Sequence, residues 1–280
     1  KNLGKFQEAK LHYKKVLEIN PHFTDAYLSL STMQETEKEQ KWKTHLFSES
    51  FLENKNNKEL VNILFARSNI LHKKKKYKES ALNLVKANNL KLIMHKSEAN
   101  LLIKKTDKLK ISSDNFRRNF QENSNDPISI FIVGLPRCGS TLIESIISLN
   151  PQVNDLGEVN IFEESYREYI LSDKRETISD IYKKKSLNND QLAITTNKWL
   201  FNYQYVGIIA STIPNAKIIH CYRNPLDNIL SIYRAHFNTG NSFSSSLIDC
   251  AKVYTDQEEI MNTYKKNFRS YIYDLNYDEL

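Results

Sequence analysis

Residues 128–149 read ISIFIVGLPRCGSTLIESIISL. The run of apolar residues at 130–133 stops at Gly134, and apolar residues recur at helical spacing from Leu142 onward. This pattern predicts a buried strand, a tight loop and an amphipathic helix. A loop in this position directs backbone N–H groups to the N-terminal end of the helix, where an anion is bound favourably. The stretch therefore predicts an anion-binding loop between a strand and a helix.

The loop resembles the Walker A phosphate-binding loop, GxxxxGK[ST], with one difference. Gly134 and Gly139 have the separation of the two Walker glycines, but Ser140 stands where the lysine should be. A cation, Arg137, lies inside the loop instead. Because the Walker lysine reaches the outer phosphates of a nucleoside triphosphate, its absence argues against ATP or GTP hydrolysis. We expect the loop to bind a different phosphoanhydride.

The composition indicates a globular protein. The chain has 280 residues, of which 40% are hydrophobic, and only six glycines and six prolines. These values predict a helix-rich chain with one large domain or two modest domains. The formal net charge of +7 raises the question of a nucleic-acid partner. The lysine clusters at 73–76 and 183–185 are typical of solvated helix ends, and no nucleic-acid-binding motif accompanies them, so we expect no such partner.

The three cysteines have unrelated spacings, which indicates neither a disulfide framework nor a zinc site. This usage favours a reducing compartment, so we expect a cytoplasmic protein. The sequence contains no metal-ligand cluster, so we also expect no metal site. No apolar run approaches the roughly 18 residues that suggest a membrane span. There is no signal peptide, but the sequence begins with Lys1 rather than Met, so we expect that the true N-terminus is missing.

Residues 1–95 are predicted to form helical hairpins that resemble tetratricopeptide repeats. Residues 4–21 resemble the second half of one repeat, and residues 77–90 resemble another copy. The small residues Ala9 and Ala81 are placed where two helices would approach closely. An ordinary helical bundle is the alternative. In either case we expect a scaffold or a peptide-holding surface rather than a catalytic site.

Residues 96–126 are predicted to form a connecting helix and a linker, with a turn signal at Ser124-Asn125-Asp126-Pro127. From Pro127 onward, strand and helix patterns alternate, which predicts a parallel sheet flanked by helices. The expected fold class is therefore α/β of the P-loop type over residues 127–280, preceded by an all-α region. The pattern also predicts helices over 161–182, 200–213 and 243–266.

Two motifs of this α/β region, LPRCGSTL at 135–142 and YRNPLDNILSIYR at 222–234, together resemble the P-loop sulfotransferases. Members of that family use 3′-phosphoadenosine-5′-phosphosulfate, PAPS. The helical region resembles that of the subgroup with N-terminal tetratricopeptide repeats, which is similar to the protein-tyrosine sulfotransferases. The resemblance implies transfer of a sulfuryl group from PAPS to an acceptor hydroxyl. Family members continue well past the position of Leu280, so we expect that the C-terminus is truncated.

The resemblance implies two anion sites for PAPS. Arg137 would meet the negative charge that grows on the bridging oxygen. The 3′-phosphate would be bound by Arg223 and Ser231, with Arg234 either a further ligand or a cation at a helix C-terminus. Tyr277, in a segment that resembles the family's Tyr-Glu-Asp-Leu, would stack on adenine or lie in the core. The residues expected at the 5′-phosphate are Cys138, Gly139, Ser140, Thr141 and Leu142.

The resemblance also implies catalytic roles for three residues. Gly157-Glu158 matches the family's Gly-Glu, which makes Glu158 the expected base for the acceptor hydroxyl. Asn197-Lys198 matches the family's Asp-Lys, so Lys198 would stabilise the sulfuryl oxygens or the leaving oxygen. Arg137 is the third. Asn197 in place of aspartate, and Cys138 in place of the commoner serine, depart from the family pattern.

Two other functions are not excluded by the sequence. A nucleotide kinase or triphosphatase on the same fold would need a Walker lysine and an acidic magnesium ligand, and Ser140 argues against it. The other is a non-catalytic helical-repeat binding protein with a degenerate nucleotide domain. An intact set of site residues argues against degeneracy: Arg137, Glu158, Lys198, Arg223 and Ser231. The acceptor is a protein tyrosine, a glycan or a small metabolite, and the repeats favour a protein or peptide.

Overall fold

The chain divides into two compact units. The helical unit comprises Lys1–Ser97 and Tyr233–Ser246, and the sheet unit comprises Glu98–Ile232 and Leu247–Leu280. The predicted boundary turn at 124–126 lies outside the described residues. The computed structural model describes residues 5–34, 41–116, 127–172, 175–186, 194–237 and 240–280.

The described part of the helical unit contains helices and no strands. Its helices are α1 (Phe6–Ile19), α2 (Thr24–Ser31), α3 (Lys41–Leu46), α4 (Asn57–Lys73) and α5 (Tyr77–Met94), with 3₁₀ turns at Glu49–Leu52 and Ser242–Ser245. Helix α2 packs against α1 and α4, and α4 packs against α5. Buried side chains such as Tyr27, Phe51 and Ile70 form its core. The assignment of these helices to tetratricopeptide repeats stays a prediction.

The contact between α4 and α5 differs in detail from the repeat pattern. Ala81, which the pattern places between two helices, is exposed. Ser80, one position earlier, takes that place, and its Oγ lies 3.0 Å from Oγ of Ser68 on α4. Ser80 Oγ also donates to the Ser68 carbonyl oxygen (2.8 Å), so this buried serine pair is satisfied by hydrogen bonds between the two helices.

The sheet unit is built on five parallel strands in its described residues, in the order β2-β3-β1-β4-β5. This confirms the predicted parallel sheet flanked by helices. The strands are β1 (Ile128–Gly134), β2 (Val153–Asp155), β3 (Ile194–Asn197), β4 (Ala216–Tyr222) and β5 (Ile272–Asn276). The helices are α6 (Ala99–Ser113), α7 (Ser140–Ile147), α8 (Ile161–Leu171), α9 (Ile178–Ser186), α10 (Val206–Thr212), α11 (Pro225–Arg234) and α12 (Leu247–Phe268).

Strand β1 lies at the centre of the sheet, between β3 and β4. Residues Phe131–Val133 are fully buried, as expected for a parallel strand with both sheet faces covered. The chain leaves β1 toward β2 on one side and later crosses to β4 on the other side. Ligands of such sheets bind beyond the carboxyl ends of the strands, where the strand order reverses. A ligand-binding site is therefore expected at the loops that follow β1 and β4.

Three predicted helices begin or end elsewhere in the structure. The helix predicted over 161–182 is two helices, α8 and α9, because Thr177 caps the second one: its Oγ1 accepts a hydrogen bond from the Asp180 N–H (3.1 Å). The helix predicted over 200–213 begins as a 3₁₀ helix, Leu200–Tyr205, and the one predicted over 243–266 begins at Leu247. Apolar spacing alone does not register such local hydrogen bonds.

The unit boundaries also differ from the predicted domains, because tertiary packing overrides chain order. Tyr233 lies in a buried cluster with Val61 and Leu84 of the helical unit, and its carbonyl oxygen accepts a hydrogen bond from Asn88 Nδ2 (3.1 Å). Helix α6, predicted as a connector, belongs to the sheet unit, where Thr106 Oγ1 donates to Asp256 Oδ2 on α12 (2.9 Å).

Candidate active site

The loop after β1 passes so close to its neighbours that two positions require glycine. Gly134 has a φ of +148°, and a Cβ there would lie 2.3 Å from the Cys221 backbone oxygen on β4. Gly139 has a φ of +93°, and a Cβ there would lie 2.0 Å from Cδ2 of Tyr277. Side-chain-bearing residues rarely adopt either conformation. The two glycines that suggested a phosphate-binding loop therefore also fit it against β4 and Tyr277.

Arg137 is the exposed cation of this loop. Its φ of +72° lies in the left-handed region, which is uncommon for a residue with a side chain. Its Nε donates a hydrogen bond to Ser231 Oγ on α11 (3.2 Å). Asn228 on the same helix donates from Nδ2 to the Pro136 carbonyl oxygen (3.1 Å). Helix α11 therefore holds the loop at two successive residues, and the contact with Asn228 was not predicted from the sequence.

Two of the residues expected at the 5′-phosphate, Cys138 and Leu142, already use their N–H groups within the protein. Cys138 is 2% exposed, and the hydrogen bond from the Cys221 thiol lowers its pKa, against the opposing effect of burial. The Cys138 N–H donates to the Leu135 carbonyl oxygen (3.3 Å), and the Leu142 N–H donates to that of Gly139 (3.0 Å). These two N–H groups are used within the loop and the first turn of α7.

Arg223 and Tyr277 lie together at the carboxyl ends of β4 and β5. The Arg223 guanidinium carbon lies 5.2 Å from the centroid of the Tyr277 ring. Its Nη2 lies 3.6 Å from Oδ1 of Asp278, and Oδ2 of Asp278 accepts a hydrogen bond from the Asn224 N–H (2.6 Å). Tyr277 is half-buried between Gly139 and Arg223, so it lies beside the loop rather than in the core.

Two of the residues expected at the 3′-phosphate, Ser231 and Arg234, have polar partners in the structure, and that role stays a prediction for both. Ser231 Oγ accepts the hydrogen bond from Arg137 Nε, and Arg234 is the last residue of α11, which is the position of the alternative given for it, a cation at a helix C-terminus. Arg234 belongs to the helical unit, where its Nη1 lies 2.6 Å from Nδ1 of His72. Burial lowers the pKa of Arg234. In each case the side chain reaches a tertiary neighbour that sequence spacing does not reveal.

The side chain of Lys198 contacts residues from the loop after β2 and from the first turns of α7. It follows β3 and is 4% exposed. Its Nζ lies 2.9 Å from Glu158 Oε1, 3.1 Å from Glu144 Oε2 and 3.2 Å from Thr141 Oγ1. Burial lowers the pKa of Lys198, but its hydrogen bonds to Glu158 and Glu144 outweigh burial and raise it overall. The sequence thus predicted a site in which Glu158, Lys198 and Thr141 do come together.

Glu144, a further residue of this cluster, was not predicted from the sequence. It lies on α7 and is 6% exposed. Burial raises its pKa to about 7, and the neighbouring Asp155 carboxyl adds to this effect while Lys198 opposes it. The only sequence signal was a carboxylate within the amphipathic pattern of α7, three residues after Thr141, which a solvent-exposed charge would also give.

Asn197 has a structural reason to replace aspartate. It is 1% exposed, its Nδ2 donates to the Val159 carbonyl oxygen (2.9 Å), and its Oδ1 accepts from Asn202 Nδ2 (2.6 Å). A carboxylate could not donate the first of these bonds. The bond to Val159 fixes the residue that follows Glu158, and the Lys198 N–H donates to the Gly157 carbonyl oxygen (3.0 Å). The Asn–Lys pair therefore anchors the Glu158 loop from both sides.

A family profile described as "Sulfotransferase family" matches residues 127–280, which is more than half of the chain. The chain belongs to the sulfotransferase family. The match begins just before β1 and covers the loop, Glu158, Lys198, Arg223 and Tyr277. This confirms the family that the two motifs predicted. It does not distinguish a subgroup with tetratricopeptide repeats or a likeness to tyrosine sulfotransferases.

An uncharacterized protein of Aquifex aeolicus (strain VF5) is 24% identical to this sulfotransferase-family chain over 309 residues. The alignment covers 100% of the chain and 40% of the relative. The chain thus spans about two fifths of the length of the curated relative that it matches. Within the described ranges, no three His, Cys, Asp or Glu side chains are placed to hold a metal ion. No helix there has the length and apolar character of a membrane span.

Proposed function

We propose that the protein transfers a sulfuryl group from PAPS to an acceptor hydroxyl, with Glu158 as the general base. The observation that carries this proposal is the cluster of Glu158, Lys198 and Thr141 at the N-terminal end of α7, directly after a glycine-requiring loop that contains Arg137. A helix N-terminus favours an anion, and the adjacent base and cation supply the groups that group transfer needs.

The loop side of the site suits the donor. Arg137 is exposed and held by Ser231, so its guanidinium can meet the charge that grows on the oxygen between sulfur and the 5′-phosphate. Arg223 suits the 3′-phosphate, because its Nε is buried and has no hydrogen-bond partner among the described residues. An orphaned buried donor is costly, and a phosphate oxygen would satisfy it. Tyr277, beside Arg223, offers a ring face to adenine.

The base side of the site suits the acceptor. The Glu158 side chain is 66% exposed, so an acceptor hydroxyl can reach its carboxylate. The proton of the acceptor O–H passes to Glu158, the acceptor oxygen bonds to sulfur, and the bond between sulfur and the phosphate oxygen breaks. Lys198, beside Thr141, lies where it can stabilise oxygens of the transferring group. Chemistry of this kind is mostly positioning and charge stabilisation.

We propose a protein or peptide as the acceptor, held by tetratricopeptide-like repeats in the helical unit. Helical repeats provide extended surfaces for peptides, whereas the helical unit has no sequence motif for catalysis.

None of the three cysteines, all in described residues, forms a disulfide, which supports a reducing, cytoplasmic location. A nucleotide kinase is the weaker proposal, because Ser140 replaces the Walker lysine.

Incubation with ³⁵S-labelled PAPS and a cell extract tests this function. We expect label in the polypeptide fraction with the wild-type protein, and at least about 100-fold less with Glu158→Gln, since a general base contributes about that much. The same variant should bind 3′-phosphoadenosine 5′-phosphate as the wild type does. Transfer by Glu158→Gln at the wild-type rate would disprove the base. Label in lipid or free glycan alone would disprove the peptide acceptor.

A further inference from the structure

Glu144 is a buried carboxylate with an incomplete set of partners. It lies on α7, one turn after Thr141, and its side chain is 8% exposed. Its Oε1 is buried and has no hydrogen-bond partner among the described residues. Carboxylates are almost never buried to this degree unless they are paired, and a buried lone oxygen costs stability. A position that costs stability is a candidate for a functional role.

The partner of Glu144 is Lys198, and both side chains are buried. Glu144 Oε2 lies 3.1 Å from Lys198 Nζ, and the lysine side chain is 5% exposed. Glu158 contacts the same Nζ at 2.9 Å but is 66% exposed. The Lys198 ammonium group therefore pairs with two carboxylates: Glu144, which is buried, and Glu158, which solvent and an acceptor can reach.

This asymmetry has a consequence for the proposed transfer. When Glu158 takes the acceptor proton it becomes neutral, and its attraction for Lys198 is lost. We infer that Glu144 is a positioning residue for this reaction: it keeps Lys198 Nζ charged and beside Thr141 while Glu158 is protonated. Glu144 itself exchanges no bond with the substrates. The inference rests on the proposed function, since only that function requires Glu158 to change its charge.

The electrostatic surroundings of Glu144 agree with this role. Lys198 faces it from the end of β3, Asp155 faces it from β2, and Glu158 lies across the ammonium group. Burial and Asp155 together raise the pKa of Glu144 to about 7. As the pH falls through this value, Glu144 becomes neutral and Lys198 loses its buried counter-charge. Transfer should therefore decline on the acid side of neutrality.

Three variants test the inference in the ³⁵S transfer assay. Glu144→Gln keeps the size and removes the charge, and Glu144→Asp keeps the charge on a shorter side chain. Glu168→Gln is the control, because Glu168 is an exposed carboxylate on α8 whose Oε2 lies 3.0 Å from Lys185 Nζ. Thermal melting establishes that each variant is folded, and Glu144→Asp serves as the test if Glu144→Gln is not.

For Glu144→Gln we expect kcat about 10- to 100-fold lower at pH 8, and KM for PAPS within about 2-fold of the wild type, since a misplaced group costs rate rather than binding. The pH at which the transfer rate of this variant declines on the acid side should be lower than that of the wild type. Glu144→Asp should recover part of the rate, and Glu168→Gln should match the wild type. A wild-type kcat and acid limb in Glu144→Gln would overturn the inference and leave the proposed function intact.

A second measurement does not depend on transfer. The rate at which acetic anhydride acetylates Lys198, read by peptide mass spectrometry, reports the fraction of neutral amine. Without the Glu144 charge, the pKa of Lys198 should fall and its acetylation at pH 8 should rise at least about threefold. Equal rates in the wild type and Glu144→Gln would show that Glu144 does not hold Lys198. A wild-type protein that transfers no label would instead disprove the proposed function, and the catalytic inference with it.

Discussion

Arg137 combines a left-handed backbone, an exposed guanidinium and a bond to Ser231. Backbone strain of this kind persists where the surroundings hold it in place, as Asn228 does for the preceding Pro136. The loop residues therefore have different roles. Gly134 and Gly139 allow close contact with β4 and Tyr277, and Arg137 provides an exposed positive charge. Each role belongs to a single side chain and can be tested by a single substitution.

Arg137→Ala should reduce kcat for sulfuryl transfer by on the order of 100- to 1000-fold, because loss of one preorganised charge-stabilising donor costs about 3 to 4 kcal/mol in the barrier. The melting temperature should change little, since the side chain is exposed. Arg167→Ala, at an exposed arginine on α8, is the matched control. The measurement is the steady-state transfer rate, and a loss below about threefold would contradict the role of Arg137.

Gly139→Ala should destabilise the protein more than Gly157→Ala does. Both glycines have positive φ, +93° and +68°, but a Cβ at 139 would meet the Tyr277 ring, whereas one at 157 meets nothing within 4 Å. We expect a loss of about 1 kcal/mol of unfolding free energy for Gly157→Ala and about 2 to 4 kcal/mol for Gly139→Ala. Urea denaturation measures both, and equal losses would argue against the contact with Tyr277.

At the scale of elements, the parallel sheet determined how much of the site could be predicted. Glu158 and Lys198 follow β2 and β3, and parallel strands end at the same edge, so strand order alone brings their loops together. Glu144 and Asn228 lie on helices, and their contacts depend on how each helix rotates against the sheet. A single sequence contains no signal for that rotation beyond the apolar face, so these two residues were not predicted.

The break between α8 and α9 was also not predicted, but for a different reason, because it depends on local hydrogen bonds. The pattern over 161–182 reads as one helix, but Thr177 and Asp180 bond each other at the start of α9. The unit boundary at 233–246 was also not predictable. Tyr233 belongs to the motif that covers α11, but its side chain is buried in the core of the helical unit. Motifs locate strands and loops well, whereas long-range packing decides where a segment belongs.

Helix α4 offers a test of local stabilisation in the helical unit. Asn56 and Glu59 form a reciprocal capping box, in which the Glu59 N–H donates to Asn56 Oδ1 and the Asn56 N–H donates to Glu59 Oε2, each at 3.0 Å. Asn56→Ala should lower the unfolding free energy by about 1 kcal/mol. Asn89→Ala, at an exposed site within α5, should change it by less than about 0.5 kcal/mol. Thermal melts of both variants check this, and an unchanged melt for Asn56→Ala would contradict it.

The molecule as a whole consists of a helical unit and a sheet unit, and the family match at residues 127–280 covers most of the sheet unit together with residues 233–246 of the helical unit. The sheet unit includes α6, which lies before the predicted domain boundary. A buried polar network joins α6 to the rest of that unit: Thr106 Oγ1 donates to Asp256 Oδ2 (2.9 Å) and accepts from Gln204 Nε2 (2.9 Å). The ionisation of Asp256 therefore depends on whether this unit is folded.

Asp256 should make stability fall as the pH rises. Burial raises the pKa of Asp256 to about 6, above its ordinary value of 3.8. The folded state therefore binds more protons than the unfolded state between these values, so the unfolding free energy decreases from about pH 4 to about pH 6 and is then flat for this group. Asp256→Asn keeps an acceptor for Thr106 and lacks the titration.

Urea denaturation at pH 4.5 and pH 7.5 measures this effect. The stability of Asp256→Asn relative to the wild type should increase from the lower pH to the higher one. A constant difference between Asp256→Asn and the wild type at the two pH values would show that Asp256 does not titrate in this window.

Calorimetric titration with 3′-phosphoadenosine 5′-phosphate tests the central claim, that the loop after β1 and Arg223 together bind an adenosine with phosphates at both the 3′ and the 5′ position. The account predicts saturable binding to the wild type, at least about tenfold weaker binding to Arg223→Ala, and little heat from ATP with magnesium. Absence of binding to the bisphosphate, with clear binding of ATP and magnesium, would contradict it.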